Sequence, residues 1–464
     1  MKTYQGLKSL PLLLLVGCMH IKEREGDHDN LIMHQYKYVE GIKKLRKNQE
    51  KRMGYPLTGT VRGEFTENGW RLDRANDAIP LIDNRILGRA PNSIADILLI
   101  NIGAPLPING HINFEQKDIT DQAEIEIIRM LSIYYNYPHE EMRGYVTAGG
   151  TEGNLACLWW CRESVKNNFK PTQSNVTPIL YTSRHAHYSI HKIANILGLE
   201  LKFVKHDKKG KIDTDDFKHL IKQHQRTIPL RPFIVSLTAG TTQLGAIDDI
   251  VAIKKILSCE IKNSSLYAVH MDAALLGAVL PLIKPFGSIN SIFDYVDTFS
   301  VSGHKFFGTI SVCGVALVKQ SLLERAFSNK NKGVQYISDI EDTTIAGTRS
   351  GHNILELHNT LHILGLNDKS INLSKLVAQC LSNAAYLSQQ LQEICGEENV
   401  LYNQNQFMVV FPKPINEIIS KKMKSKYDLM TTDAYNFGIC VLPHVDKDLI
   451  DRFLIDYKKS ISYK

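Results

Sequence analysis

The chain lacks several features that would place it in other classes of protein. Its eight cysteines form no C-x-x-C pair, and there are no internal repeats and no low-complexity tract. Cys157 and Cys161 are four residues apart on a predicted helix, but no histidine lies nearby to complete a metal site. The sequence therefore predicts no metal site, and we interpret the cysteines as reduced, mostly buried thiols in a reducing compartment.

A strong charge of one sign is also missing. Lys and Arg number 55 against 48 for Asp and Glu, a net charge of +7 that is mild for 464 residues. The most basic run, residues 421–426 (K-K-M-K-S-K), is typical of a solvated helix face. We therefore expect no nucleic-acid partner.

The N-terminus has no apolar run long enough to span a membrane as a helix. Lys2 and Lys8 precede a short apolar stretch at residues 10–17, which ends in L-V-G-C. This pattern resembles a bacterial lipoprotein signal, with a lipid anchor at Cys18. The alternative is an apolar segment that packs on the protein or on a second subunit. We predict a cytoplasmic protein, with membrane attachment only if the lipoprotein-like segment is used.

Hydrophobic periodicity predicts an α/β protein. A helix is predicted at residues 28–52 and a mostly irregular segment at 57–110. Near residue 118, where Thr120 and Asp121 occupy an expected N-cap, helices begin to alternate with short apolar strands. Such alternation indicates βα units on a mostly parallel sheet that is buried on both faces. The predicted strands are residues 145–147, 179–181, 201–204, 233–237, 267–271, 297–301 and 313–318.

The pattern changes after Gly351. Helices are predicted at 355–364, 373–391 and 446–457, with apolar strands at 407–411 and 439–442. We interpret this part as a small C-terminal α/β domain. The predicted division is an N-terminal segment at 1–18, a helix and loop segment at 19–110, a large domain at 111–352 and a small domain at 353–464.

Residues 300–308 (S-V-S-G-H-K-F-F-G) are the most informative stretch. Lys305 follows an apolar run and stands between Gly303 and Gly308, which allow the backbone to turn sharply. A desolvated lysine has a lowered pKa and an amine that can attack a carbonyl. The alternative is a lysine at a strand-to-turn junction with no chemical role.

Four further motifs follow predicted strands, where ligands of such sheets bind. Gly149-Gly150-Thr151 opens a helix, as phosphate-binding turns do. His187 lies where an imidazole can stack on a planar ring, and Asp272, followed by Ala273-Ala274, can hold a pyridine nitrogen protonated. Thr242, in G-T-T, can offer a hydroxyl to the same ring. Each residue also has an ordinary structural interpretation, but together with Lys305 they are typical of a pyridoxal 5′-phosphate site.

The segments that carry these residues resemble the group II pyridoxal-phosphate-dependent amino acid decarboxylases. They read Y-V-T-A-G-G-T-E-G-N, R-H-A-H-Y-S-I-H-K, A-G-T-T-Q-L-G-A-I-D-D, H-M-D-A-A-L, S-V-S-G-H-K-F-F-G and I-A-G-T-R-S-G-H. The similarity runs from about Tyr145 to His352 and is strongest to bacterial histidine decarboxylase and plant serine decarboxylase. It implies fold type I, of the aspartate aminotransferase kind, and a homodimer with shared active sites.

The resemblance also implies roles for individual residues. Lys305 would bind the cofactor covalently, His187 would stack on its ring and Asp272 would pair with its ring nitrogen. Tyr336 would return a proton to the substrate carbon, and Thr348 would reach the partner's site. The remaining cofactor-binding residues would be Gly150, Thr151, Thr242, Ala274, Ser302 and His304.

The implied reaction converts a free L-amino acid to its amine and CO₂. Histidine is the first expected substrate and serine the second. The sequence departs from the family at Ala239 and at Asn101-Ile102-Gly103-Ala104, which matches a segment that usually ends in a carboxylate. The alternatives are another pyridoxal-phosphate lyase or aldolase, an aminotransferase, or a non-catalytic, lipid-anchored family member.

Overall fold

The computed structural model describes most of the chain after residue 118. The described residues are 53, 63–66, 69–72, 119–167, 176–283, 286, 289–309, 311–327, 342–347, 349–366, 371–403 and 406–462. The predicted helix at 28–52, the segment at 1–18, and the site candidates Tyr336 and Thr348 lie outside them.

A seven-stranded sheet forms the centre of the fold. Its strands are β3 (Met142–Thr147), β4 (Ile179–Ser183), β5 (Glu200–Val204), β6 (Phe233–Thr238), β7 (Tyr267–Asp272), β8 (Thr298–Ser302) and β9 (Gly314–Lys319). They are arranged in the order β3-β9-β8-β7-β6-β4-β5. Every neighbouring pair is parallel except the two that include β9. The mostly parallel sheet predicted from the sequence is therefore confirmed.

Helices cover both faces of this sheet, as its continuous apolar strands require. They are α1 (Ile119–Tyr134), α2 (Gly150–Asn167), α3 (Tyr188–Ile196), α4 (Thr214–Thr227), α5 (Ile250–Glu260) and α6 (Gln320–Phe327). Residues of α1, α4 and α5 pack in one buried cluster, and residues of α2, α3 and α6 pack in another. Adjacent strand residues such as Ile234 and Val235 belong to opposite clusters, because successive side chains point to opposite faces.

One residue of strand β9, Gly314, pairs with both neighbouring strands, β3 and β8. Gly314, its first residue, pairs with Thr147 at the end of β3 and with Ser302 at the end of β8. A Cβ at Gly314 would lie 2.9 Å from the Val301 carbonyl oxygen and 3.0 Å from Thr147 Oγ1. Only glycine fits between these strand ends without movement of the backbone.

The C-terminal part contains a second, antiparallel sheet. Helices α7 (Gly351–Ile363) and α8 (Ile371–Cys395) precede strands β10 (Leu401–Tyr402) and β11 (Met408–Pro412). Helix α9 (Glu417–Tyr427), strands β12 (Met430–Thr431) and β13 (Asn436–Cys440), and helix α10 (Lys447–Ile461) follow. The strand order is β10-β11-β13-β12, and residues of this sheet pack with α8, α9 and α10 in a separate apolar cluster. The buried apolar residues of α7 belong instead to the cluster that contains α1. Lys421, Lys422, Lys424 and Lys426 are exposed on α9, so the predicted solvated helix face is confirmed.

Within residues 57–110, which were predicted to be mostly irregular, β1 (Gly63–Thr66) and β2 (Gly69–Leu72) pair as an antiparallel hairpin with Phe65 opposite Trp70. One local prediction was wrong. Helix α1 already begins at Ile119, which puts Thr120 and Asp121 in its first turn and not at the N-cap.

Seven cysteines are described, and none forms a disulfide; five of them are buried. Among the described residues, no helix combines the length and the apolar character needed to cross a bilayer.

Candidate active site

The carboxyl ends of five strands open onto one cavity of about 450 Å³. The loops after β3, β4, β6, β7 and β8 all contribute to its walls, as expected for an open α/β sheet. The structure brings together nine residues predicted from the sequence, which come from segments up to 155 positions apart. They are Gly150, Thr151, His187, Thr242, Asp272, Ala274, Ser302, His304 and Lys305.

The turn between β3 and α2 forms the narrow end of this cavity. Helix α2 begins at Gly150, and a Cβ there would lie 2.9 Å from Ser302 Oγ and 3.1 Å from Ala274 Cβ. Ser302 Oγ is buried and has no hydrogen-bond partner within the described residues. An unpaired buried hydroxyl beside the N-terminus of an 18-residue helix fits a bound phosphate, which would accept a hydrogen bond from it.

Lys305 lies in a single π-helical turn, Gly303–Phe307, directly after β8. Gly308 ends the turn with a φ of 80°, a conformation that favours glycine. The neighbouring His304 donates from Nδ1 to the Cys313 carbonyl oxygen at 2.9 Å, which fixes the turn against the start of β9. From this turn the half-buried Lys305 side chain lines the cavity.

Asp272 faces the same cavity from the end of β7. Its side chain is only 4% exposed, and its Oδ1 accepts a hydrogen bond of 3.1 Å from the Ala274 backbone N–H. Burial lowers the pKa of Lys305, and the negative charge of Asp272 opposes that shift in part. The lysine amine is therefore more easily deprotonated than one in water, as a nucleophilic amine must be.

His187 both caps a helix and lines the cavity. It is the N-cap of α3, where its Nδ1 accepts a hydrogen bond from the Ser189 backbone N–H at 3.3 Å and lies 2.8 Å from Ser189 Oγ. It also lines the cavity. Burial lowers the pKa of His187, as does the charge of Lys305, while Asp272 raises it in part. The ring is thus held in a fixed orientation by its cap contacts.

Four supporting residues, Asn154, Ser189, His270 and Thr298, were not predicted from the sequence. Asn154 reaches Ser189 Oγ with its Nδ2 at 3.4 Å and His270 Nε2 with its Oδ1 at 3.2 Å. His270 in turn contacts Thr298 Oγ1 at 3.1 Å. These buried contacts connect the segments that carry His187, Asp272 and Lys305. The position of Asn154 directly after the Gly149–Gly153 turn is the only local signal that pointed to it.

The side chains around the cavity are typical of one class of enzyme. A deprotonatable lysine, a buried carboxylate and a fixed imidazole face one cavity, which also holds an unpaired hydroxyl beside a helix N-terminus. These groups fit the carbonyl, the ring nitrogen, the ring face and the phosphate of pyridoxal 5′-phosphate. The protein is therefore an enzyme of the pyridoxal-phosphate-dependent kind.

Comparison with known proteins narrows this class. The pyridoxal-dependent decarboxylase conserved domain matches residues 108–413. A serine decarboxylase of Oryza sativa subsp. japonica is 32% identical over 450 residues, 95% of this chain and 92% of its own length. A histidine decarboxylase of Vibrio campbellii is 34% identical over 341 residues, 72% of this chain and 79% of its own length.

A solved structure supports the same fold. The L-methionine decarboxylase of Streptomyces sp.590 superposes with a TM-score of 0.68 at 19% identity, covering 95% of this chain and 98% of its own. The chain belongs to the pyridoxal-dependent decarboxylase family. It is an amino acid decarboxylase with pyridoxal phosphate as its cofactor and the type I fold.

Proposed function

We propose that this decarboxylase converts L-histidine to histamine and CO₂. The observation that carries the proposal is the 34% identity to the histidine decarboxylase of Vibrio campbellii over 341 residues. Histidine decarboxylases of Morganella morganii and Solanum lycopersicum are each 30% identical. Serine is the second candidate, because the rice serine decarboxylase aligns over 95% of this chain.

The cofactor-binding roles follow the family resemblance, and the positions of the side chains around one cavity support them. Lys305 would hold the cofactor through its amine, Asp272 would pair with the ring nitrogen and His187 would lie against the ring. Four residues near the start of α2 would form a phosphate cradle, and two small side chains would line the pocket for the cofactor ring. The cradle residues are Gly150, Thr151, Ser302 and His304, and the ring pocket includes Thr242 and Ala274.

Bound pyridoxal phosphate supplies an electron sink for the pair of electrons left when the Cα–carboxylate bond breaks. The residues of the chain do the rest. Asp272 would hold the proton of the ring nitrogen, and Lys305 would hold the cofactor through its amine until the amine of the substrate replaces it. One proton must then return to Cα, and we assign this step to Tyr336 or His187. Electrostatic stabilisation of the developing charge by Asp272 should be the largest contribution to the rate.

The test of the substrate is a screen of the common amino acids with purified, cofactor-loaded protein. Mass spectrometry would follow the amine product, and CO₂ release would be measured in parallel. Histamine from histidine alone supports the proposal, whereas ethanolamine from serine alone overturns it in favour of the second candidate. Lys305→Ala is the control, and its turnover should be abolished. An aldehyde or a keto acid as the main product would contradict decarboxylation as the reaction of this site.

We also propose a homodimer in which Thr348 contributes to the partner's active site. Complementation tests this without knowledge of the interface. Lys305→Ala and Thr348→Ala homodimers should each be inactive or weak, but mixed dimers should recover activity at one site. That site combines the intact Lys305 of one chain with the intact Thr348 of the other. No recovery from mixtures that exchange subunits would contradict shared sites.

The proposed location is the cytoplasm, and lipid attachment through Cys18 is the alternative. The mass of the mature protein isolated from cells distinguishes them. A chain that retains residues 1–17 supports the first, and a chain that begins at a lipid-modified Cys18 overturns it.

A further inference from the structure

A cluster of metal-ligating side chains lies between α1 and α7, among residues that the mechanism does not use. His358 and His362 are four positions apart on α7, and Glu126 lies on α1. His358 Nε2 is 2.7 Å from Glu126 Oε2, and His362 Nε2 is 3.5 Å from Glu126 Oε1. The two Nε2 atoms are only 3.1 Å apart.

These distances match a coordination sphere. Nitrogen and oxygen ligands of zinc lie about 2.0–2.2 Å from the metal, so two ligands of a tetrahedral site are about 3.3 Å apart. The two Nε2 atoms are 3.1 Å apart, and they lie 2.7 Å and 3.5 Å from the two different carboxylate oxygens of Glu126, so these distances fall on both sides of this value. All three ligand atoms lie within 4.8 Å of one another. One ion could bind them with little side-chain movement.

Hydrogen bonds can also hold these three side chains together. His358 Nε2 can donate its proton to Glu126, and His362 Nε2, 3.1 Å from His358 Nε2, can share that proton or donate to the carboxylate itself. A divalent cation would replace these protons and accept lone pairs from all three residues at once.

We propose that Glu126, His358 and His362 bind a divalent zinc ion that links α1 to α7. Two imidazoles and one carboxylate form a ligand set that zinc accepts, with a water molecule in the fourth position. The half-buried histidines and the exposed glutamate leave that position open to solvent. A cupric ion would compete for the same ligands, because it ranks above zinc for nitrogen and oxygen sites.

The zinc site would stabilise the helices and strands around the active-site cavity, although the ion itself would not contact the cavity. On α7, Asn353 Nδ2 donates to the Val312 carbonyl oxygen at 3.2 Å, and Glu356 Oε2 accepts from the Ser311 N–H at 3.0 Å. On α1, Glu124 Oε1 accepts from the Val146 N–H at 2.6 Å. The two helices therefore hold the loop before β9 and the strand β3. A metal between them would resist their separation when the protein unfolds.

The experiment is a calorimetric zinc titration of the full-length holoenzyme after treatment with a chelator. The result expected is one zinc per chain that is bound at least tenfold more weakly by Glu126→Gln and is lost in the His358→Ala, His362→Ala double variant. His219→Ala, which removes an exposed histidine from α4, is the matched control and should bind zinc like the wild type.

The thermal midpoint gives a second readout that is independent of catalysis. Zinc at a hundredfold excess over its dissociation constant should raise the midpoint of the wild type by about 3 °C. The double variant should show no rise, while its circular dichroism and bound cofactor match those of the wild type. Equal zinc binding by the wild type and the double variant, or no binding by the wild type, would overturn the proposal.

Discussion

Arg349 and Glu124 form a buried ion pair in which both guanidinium Nη atoms donate to the carboxylate. Arg349 Nη2 is 2.9 Å from Glu124 Oε2, and the side chains are 7% and 1% exposed. Glu124 also accepts the backbone N–H of Val146, and the Arg349 guanidinium lies 5.1 Å from the centre of the Tyr145 ring. The pair therefore connects α1, β3 and the segment that enters α7.

Removal of one partner from this pair should destabilise the protein strongly. Arg349→Met leaves the Glu124 carboxylate buried without its counter-charge, which typically costs about 3–5 kcal/mol. Urea unfolding of the holoenzyme would measure the loss. The double variant Arg349→Met, Glu124→Gln should lose less than the sum of the two single variants, because it leaves no unpaired charge.

The pair of Glu417 and Lys421 on α9 is a matched control for this experiment. Their side chains are 80% and 75% exposed, at a separation of 2.7 Å. Their removal should leave unfolding unchanged, because exposed pairs contribute little. Equal effects at the two pairs would contradict the role assigned to burial.

Because of His270, the free energy of unfolding should decrease as the pH is lowered. Burial lowers its pKa from 6.5 to about 4, although the charge of Asp272 raises it in part. Between pH 6.5 and about pH 4, His270 therefore binds a proton in the unfolded chain but not in the folded protein. Because protonation favours the unfolded chain in this range, stability is lost as the pH falls from about 6.5 towards 4. The contribution of this residue is up to about 3 kcal/mol.

The variant His270→Gln isolates that contribution. Glutamine does not titrate, and its amide can still contact Asn154 or Thr298. The measurement is the free energy of unfolding at pH 7 and pH 5, and the difference between the two should be smaller in the variant. An identical pH dependence in both proteins would contradict the assignment.

Ser189→Ala should reduce turnover with little loss of cofactor. It removes the hydroxyl that lies 2.8 Å from His187 Nδ1 but keeps the backbone N–H contact. One lost hydrogen bond of about 1.4 kcal/mol would lower kcat about tenfold if it matters only in the transition state. Ser189→Thr keeps the hydroxyl and should retain more of the rate. A fall in bound cofactor that matches the fall in kcat would argue against a positioning role.

Gly150→Ala should weaken cofactor binding by at least about tenfold, because its Cβ would fill the space beside Ser302 Oγ. Absorbance of the bound cofactor during dialysis would measure its retention. The substitution lies at the start of α2, where alanine suits a helix, so circular dichroism should be unchanged. Full retention of the cofactor would contradict the phosphate cradle.

The sequence predicted the residues of the site better than the contacts that support them. Strands such as β6 and β7 were recognisable as short apolar runs between turns. Because ligands of such sheets bind at the carboxyl ends of the strands, Asp272 and Lys305 could then be predicted to lie in one site. Ser189 and His270 carried no such signal, because a serine inside a helix and a histidine inside an apolar strand suit many environments. Local periodicity also does not reveal that Glu124 meets Arg349 from 225 positions away.

Some helix starts and turns depend on contacts that the local sequence does not show. The first turn of α2 begins where its glycine motif predicted, although the segment has low helix propensity, and it packs closely against Ser300 and Ser302. The π-helical turn at Lys305 has no compositional marker beyond its flanking glycines. In both places tertiary contacts decide the local backbone.

The shared position of Gly314 has a consequence for substitutions elsewhere in the site. Because one residue pairs with the ends of both β3 and β8, the start of α2 and the turn that carries Lys305 are fixed relative to each other by backbone pairing. Backbone pairing does not depend on the identity of the cavity side chains. Substitutions of those side chains should therefore leave the spacing between the two segments unchanged.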